Sequence, residues 1–172
     1  LTLPASGLFS PGTGDFTLEC WVNPRLAPGG GVDNDMTLFG GFNYIPALFF
    51  ALDNTSLAPK LFNGTNAVTS SISVIPNTWS HVVFSRSSST LRIFVNGQVG
   101  ATATNYTTNW PASSALPFIG RADVNVTRHF VGHISNMRLV RGTALYTTNF
   151  TPPTQPLTAV AGTSLLTLQD NR

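Results

Sequence analysis

Asn77-Thr-Trp-Ser-His-Val-Val-Phe-Ser-Arg-Ser-Ser-Ser-Thr-Leu-Arg-Ile-Phe-Val-Asn-Gly97 is the stretch that decides the fold class. Its β-branched and aromatic content predicts two strands, Trp79 to Arg86 and Leu91 to Asn96, joined by a four-residue Ser/Thr loop. Asn96-Gly97 opens a further tight turn. A four-residue loop pairs Arg86 with Leu91. That register puts Ser80, Val82, Phe84, Leu91, Ile93 and Val95 on one face, and Trp79, His81, Val83, Arg92 and Phe94 on the other. Both faces carry apolar side chains, so the hairpin belongs in the middle of a sheet. The first face meets the core; the second is partly covered, by loops or by another chain.

Outward from the hairpin, strand signals recur about every ten residues, with turn residues between them. Asp15 to Asn23 alternates, with Phe16, Leu18, Cys20 and Val22 on one face. Met36 to Gly41, Ala47 to Asp53, Leu57 to Asn63, Ala67 to Val74, Val99 to Thr104, Pro117 to Arg121, Phe130 to Arg141 and Ser164 to Gln169 complete the pattern. No convincing helix appears; a helical turn is expected at most near Gly142 to Tyr146. The pattern predicts an all-β, two-sheet antiparallel sandwich or jelly roll. Thr151-Pro-Pro-Thr-Gln-Pro156 reads as an extended strap leading back to the last strand.

The 172 residues suit one domain over 1–172, and the strand-like ends suggest a module cut from a longer chain. Charged residues make up 9% of the chain, against about 25% in ordinary domains. Lys60 and Glu19 are the one lysine and the one glutamate. No basic run is present, so a nucleic-acid partner is not expected; Arg138 and Arg141 read as ordinary strand and turn residues. No apolar run approaches the length of a membrane span. Cys20 is alone in an apolar strand, where a buried, inert thiol is expected.

Four motifs carry a resemblance. Asp15-Phe-Thr-Leu-Glu-Cys-Trp-Val, the Trp79 to Gly97 hairpin, Phe118-Ile-Gly120 with Phe130 to Leu139, and Arg141 to Thr154 follow one another in the order found in laminin G-like domains of the concanavalin A-like lectin/glucanase superfamily. The resemblance implies a concanavalin A-like jelly roll that binds ligands at its concave face or rim loops. The last motif resembles variants from bacteriophage virion and bacterial surface proteins, which implies a virion or extracellular surface as the setting. The implied role is a non-catalytic carbohydrate-binding or adhesion module, or a structural virion module. Its partners would be a glycan or host-surface polysaccharide, or neighbouring virion subunits, a homo-oligomer included.

Two departures limit the chemistry. The family's acidic pair near the C-terminal strand, which supports a structural calcium, is replaced by Ser135 and Asn136. Calcium calls for several hard oxygen ligands, usually with carboxylates, so no cofactor is expected. The enzymatic relatives carry two glutamates on one strand, whereas glycoside hydrolysis here would have one Glu and no carboxylate at neighbouring spacing. Glu19 is therefore expected to be structural, ion-paired with an arginine, Arg138 at a family-like position. His129 and His133 have even spacing but lack a third ligand for zinc. Asp33-Asn-Asp35 is the best remaining cation candidate. Asn105-Tyr-Thr-Thr-Asn-Trp110 is the most lectin-like loop, with Tyr106, Asn109 and Trp110 as candidate contacts beside Asp33, Asp35 and Tyr44. The competing expectation is that Tyr106 and Trp110 pack over the end of the sandwich. Tyr146 and Phe150 are expected to anchor the strap.

Overall fold

A computed structural model describes residues 1–25, 35–41, 48–63, 66–110, 116–122 and 128–169. Eleven strands run through them: β1 Phe16–Pro24, β2 Met36–Gly40, β3 Leu48–Leu52, β4 Pro59–Asn63, β5 Ala67–Thr69, β6 Ser80–Ser87, β7 Thr90–Val95, β8 Gln98–Ala103, β9 Phe118–Ile119, β10 Gly132–Arg141 and β11 Thr163–Thr167. They form two antiparallel sheets, ordered β11-β10-β1-β6-β7-β8 and β5-β4-β3-β2-β9. The chain is nearly all-β. No helical turn forms near Gly142, where one was the most that the sequence allowed; among the described residues the one short 3-10 turn is Gly7–Phe9, capped by the Ser6 hydroxyl accepting from the Leu8 N–H.

The period-2 alternation of the sequence becomes the two faces of the six-stranded sheet. Phe16, Leu18, Cys20 and Val22 of β1 and Val82 and Phe84 of β6 turn inward, against Leu38, Phe50, Leu52 and Leu61 of the other sheet. β6 and β7 pair Arg86 with Leu91 as expected, but the pairing continues to Ser87 and Thr90. The turn is thus the two residues Ser88 and Ser89, both left-handed at φ 46 and 64. Strand twist favours such mirror-image two-residue turns even where the sequence lacks the usual Asn or Gly.

The outward face of the hairpin is covered by the chain's own C-terminal segment. A strap, residues 142–160, crosses that face from the end of β10 and returns to β11. Thr17 Oγ1 donates to the Thr143 carbonyl and accepts from the Leu145 N–H. Phe150 packs edge-on against His81 and Phe94, stacks on Tyr146, and donates its N–H to the Gly97 carbonyl. Gly97 is left-handed (φ 79), and a side chain there would collide with the Phe150 carbonyl. Tyr146 and Phe150 are the strap's anchors.

Candidate functional site

Beneath the strap lies a buried polar cluster. Glu19 projects outward from β1 at the position facing Arg138 of β10 and Val83 of β6. Arg138 donates to Glu19 Oε1 from Nε (2.9 Å) and Nη2 (2.5 Å), the ion pair expected from the sequence. His81 Nε2 lies 3.0 Å from Oε2, and the Tyr146 hydroxyl donates to Oε2 at 3.1 Å. A carboxylate only accepts, so His81 carries its proton on Nε2. Burial alone would raise the Glu19 pKa; His81 and Arg138 outweigh it and hold the carboxyl below its ordinary value. Burial, then the neighbouring Glu19 charge, pushes the Tyr146 phenol and the Cys20 thiol upward. Glu19 and His81 have no solvent exposure. The cluster contains the residue types of acid–base catalysis, but its carboxylate and imidazole are closed off from solvent, and its bonds tie β1, β6, β10 and the strap together.

A rim of loops closes the far end of the strands. Arg86 ends the inward row of β6 and is 1% exposed. Its Nε donates to the Gly14 carbonyl (2.9 Å), Nη1 to Thr108 (2.7 Å) and Nη2 to Gly12 (2.8 Å) as well as to Gly14. The guanidinium also lies over the Phe16 ring, 5.1 Å from its centroid. Burial lowers its pKa. One side chain thus ties residues 12–14 to the 105–110 loop. Asp15 accepts from the Ser88 N–H, Ser89 accepts from the Tyr106 N–H, and Asn63 donates to the Thr108 hydroxyl. Arg86 was read from sequence only as a register mark. The overlooked signal is an arginine in phase with Val82 and Phe84, which places a cation at the core's edge.

Trp110 does not stack on ligands. It is fully buried, with ring centroids 4.5 Å from Phe16 and 4.7 Å from Phe50, and it bridges to Gly12 in an isolated β-pair. Tyr106 is 8% exposed. Both rings fill the end of the core, because burying an aromatic surface this large outweighs leaving it in water. Asn105, Thr107 and Asn109 remain exposed on the same loop.

Asp33 and Tyr44 lie outside the described residues. Asp35 is buried and salt-bridged to Lys60 (2.6 Å), which also reaches Asp53 (3.5 Å). Lys60 thus supplies the positive charge beside both carboxylates. Asp35 also precedes Met36, which pairs with Leu52, whereas Asn63 and Thr108 lie at the Leu48 end of the same sheet. Asp35 and Asn109 are therefore at opposite ends of the sandwich and form no joint site. Ser135 and Asn136 do not fit a calcium ion. Asn136 Oδ1 accepts from Leu157 N–H and its Nδ2 donates to Ser135 Oγ, which itself donates to the Leu168 carbonyl. Among the described residues no three His, Cys, Asp or Glu side chains gather as a metal site. His129 bridges Arg121, while His133 pairs with Asn23 on β1.

The family model described as concanavalin A-like lectin/glucanases superfamily, of the laminin G group, matches residues 1–145. The fold is shared with solved structures. One is a Bacteroides ovatus protein provisionally assigned to carbohydrate binding (TM-score 0.71, 16% identity, 91% of this chain and 46% of that one). Another is domain 4 of AbnA, a GH43 extracellular arabinanase from Geobacillus stearothermophilus, in complex with arabinotriose (0.60, 19%, 83% and 66%). A third is a heptameric SAP-like pentraxin from Limulus polyphemus (0.56, 15%, 80% and 68%). The chain thus spans about half the length of the first and just under two thirds of the second. No curated protein sequence matches it.

Proposed function

The chain belongs to the concanavalin A-like lectin/glucanases superfamily, and on that premise we propose that it is a non-catalytic carbohydrate-binding or adhesion module of a virion or cell-surface protein. The observation that carries this reading is the rim fixed by Arg86. It presents Ser88, Ser89, Asn105, Thr107 and Asn109, all exposed and uncharged, on a base held by buried hydrogen bonds. Amides and hydroxyls on a rigid support suit sugar hydroxyls at low entropic cost. The non-catalytic part rests on the carboxylates. Asp15, Glu19, Asp35 and Asp53, the acidic residues among the described ones, are each engaged in structural contacts. The virion or surface setting is supported by the resemblance of Arg141 to Thr154 to such proteins. An arabinanase domain of the same fold holds arabinotriose, which supports the ligand class.

A glycan array probed with this chain tests the proposal. Binding should appear, and Asn105→Ala with Asn109→Ala should weaken it about tenfold, or 1.4 kcal/mol. The second reading is a structural module that packs against neighbouring subunits. Leu1 and Leu116 favour it: they are 63% and 45% exposed beside the β9 edge, where apolar surface invites a protein partner. Silence on the array, with residues 105–109 buried against neighbours in the assembled particle, would establish that reading instead.

A further inference from the structure

The strap roofs the outer face of the six-stranded sheet only in part. At the end opposite Arg86, three side chains stand in a row across β6, β1 and β10. Trp79 immediately precedes β6, Asn23 is on β1, and His133 faces Asn23 from β10. β1 lies between the other two strands, and the Trp79 and His133 rings lean toward each other across it, with centroids 6.4 Å apart and planes at 44°. Asn77, left-handed and exposed, is tied to the same strand end through its N–H to the Pro24 carbonyl. Trp79 and Asn23 are half-buried, and His133 is exposed.

Among the described residues, the side-chain nitrogens and oxygens of Trp79, Asn23, Asn77 and His133 have no protein hydrogen-bond partner. The same face behaves differently two and three rows deeper. There Thr17, Glu19, Arg138 and Tyr146 are bonded to one another or to the strap. Trp79 is also absent from the core cluster that holds Trp110. A large aromatic ring left half-open beside free amides and an imidazole, with no carboxylate or ammonium group in the row, has the amphipathic character of a sugar: an apolar C–H face edged by neutral hydroxyls.

We propose that Trp79, His133 and Asn23 form a saccharide subsite. One neutral sugar ring stacks its C–H face on the Trp79 indole, and its hydroxyls bond to the Asn23 carboxamide and the His133 imidazole. Asn77 and the Trp79 N–H lie at the margin, for a hydroxyl of the adjoining unit. The subsite rests on the carbohydrate-binding reading above and goes past it by adding a second, separate saccharide contact at the end opposite the Arg86 rim.

The test is a titration of the chain with cellotriose, maltotriose, mannotriose and arabinotriose, followed by calorimetry and tryptophan emission. At least one should bind and shift the emission. Trp79→Ala should weaken that binding at least about tenfold, and His133→Ala or Asn23→Ala about threefold, with the melting transition retained. Trp79→Phe keeps an aromatic platform; it should keep binding and lose the emission shift, and it decides the matter if Trp79→Ala does not fold. An emission shift that persists in Trp79→Phe overturns the subsite. So does full affinity in a folded Trp79→Ala, or array binding without binding to any of the four trisaccharides; in each case the broader carbohydrate reading stands. Silence on both array and titration overturns both.

Discussion

Glu19 meets every demand a buried carboxylate makes. Arg138 takes one oxygen, and His81 and Tyr146 take the other. Replacing it by Gln would leave the Arg138 guanidinium buried without a counter-charge, so Glu19→Gln should cost about 3–5 kcal/mol in urea unfolding. The pH dependence follows from the same contacts. The folded carboxyl titrates below its ordinary 4.5, so the unfolded chain takes up the proton first as pH falls. The stability contributed by Glu19 is complete above that value and is lost as pH drops through the folded pKa. The melting temperature should therefore fall steeply in that acid range, and less steeply in Glu19→Gln. At the other end, Arg86→Lys removes a fork that reaches three carbonyls at once. It should cost about 2–3 kcal/mol and speed amide exchange in residues 105–109. The Glu19–Arg138 pair was legible because a lone glutamate in a strand must find a cation. That Tyr106 and Trp110 pack over the end of the sandwich was the competing expectation, and it holds; the partner of Trp110 was not legible, because its bridge to Gly12 spans nearly a hundred residues that no local pattern encodes.

Among the elements, the β6–β7 hairpin was readable in register but not in its turn. Ser and Thr carry no preference for left-handed backbone, so nothing marked Ser88 and Ser89 as the two turn residues and Ser87 and Thr90 as paired. That conformation is uncomfortable for serine, and Ser89→Gly should stabilise the chain by about 0.5–1 kcal/mol in thermal unfolding. The strap offers the reverse case. Gly97 is where Phe150 is seated, and a Cβ there would come 1.9 Å from the Phe150 carbonyl oxygen. Gly97→Val should lift the strap, destabilise the fold by about 2 kcal/mol and expose residues 142–158 to hydrogen exchange. The Pro-rich composition pointed to a surface strap. What it covers, the Glu19 cluster, emerges only once β1 and β10 are seen side by side.

For the molecule as a whole, alternation and turn spacing were enough for a two-sheet sandwich, because a half-buried sheet imposes its period on every strand. Strand order was beyond their reach. β1 is flanked by β6 and β10, partners drawn from the middle and the end of the chain. The candidate site inherited that limit. Asp35 and Asn109 looked compatible as neighbours, yet the sheet order puts them at opposite ends. Trp79, Asn23 and His133, far apart in sequence, come together because β6, β1 and β10 are adjacent.

The strap has a further consequence, for synthesis. Tyr146 and Thr158 supply the last contacts around Glu19 and Arg138, so β1 waits for a segment synthesised more than a hundred residues after it. Until then the growing chain holds an uncapped acid–base cluster and an unroofed aromatic face, at the stage when sticky intermediates are most exposed to one another. The module's hold on its native state is therefore settled late, by a segment that contributes almost nothing to the sheets themselves.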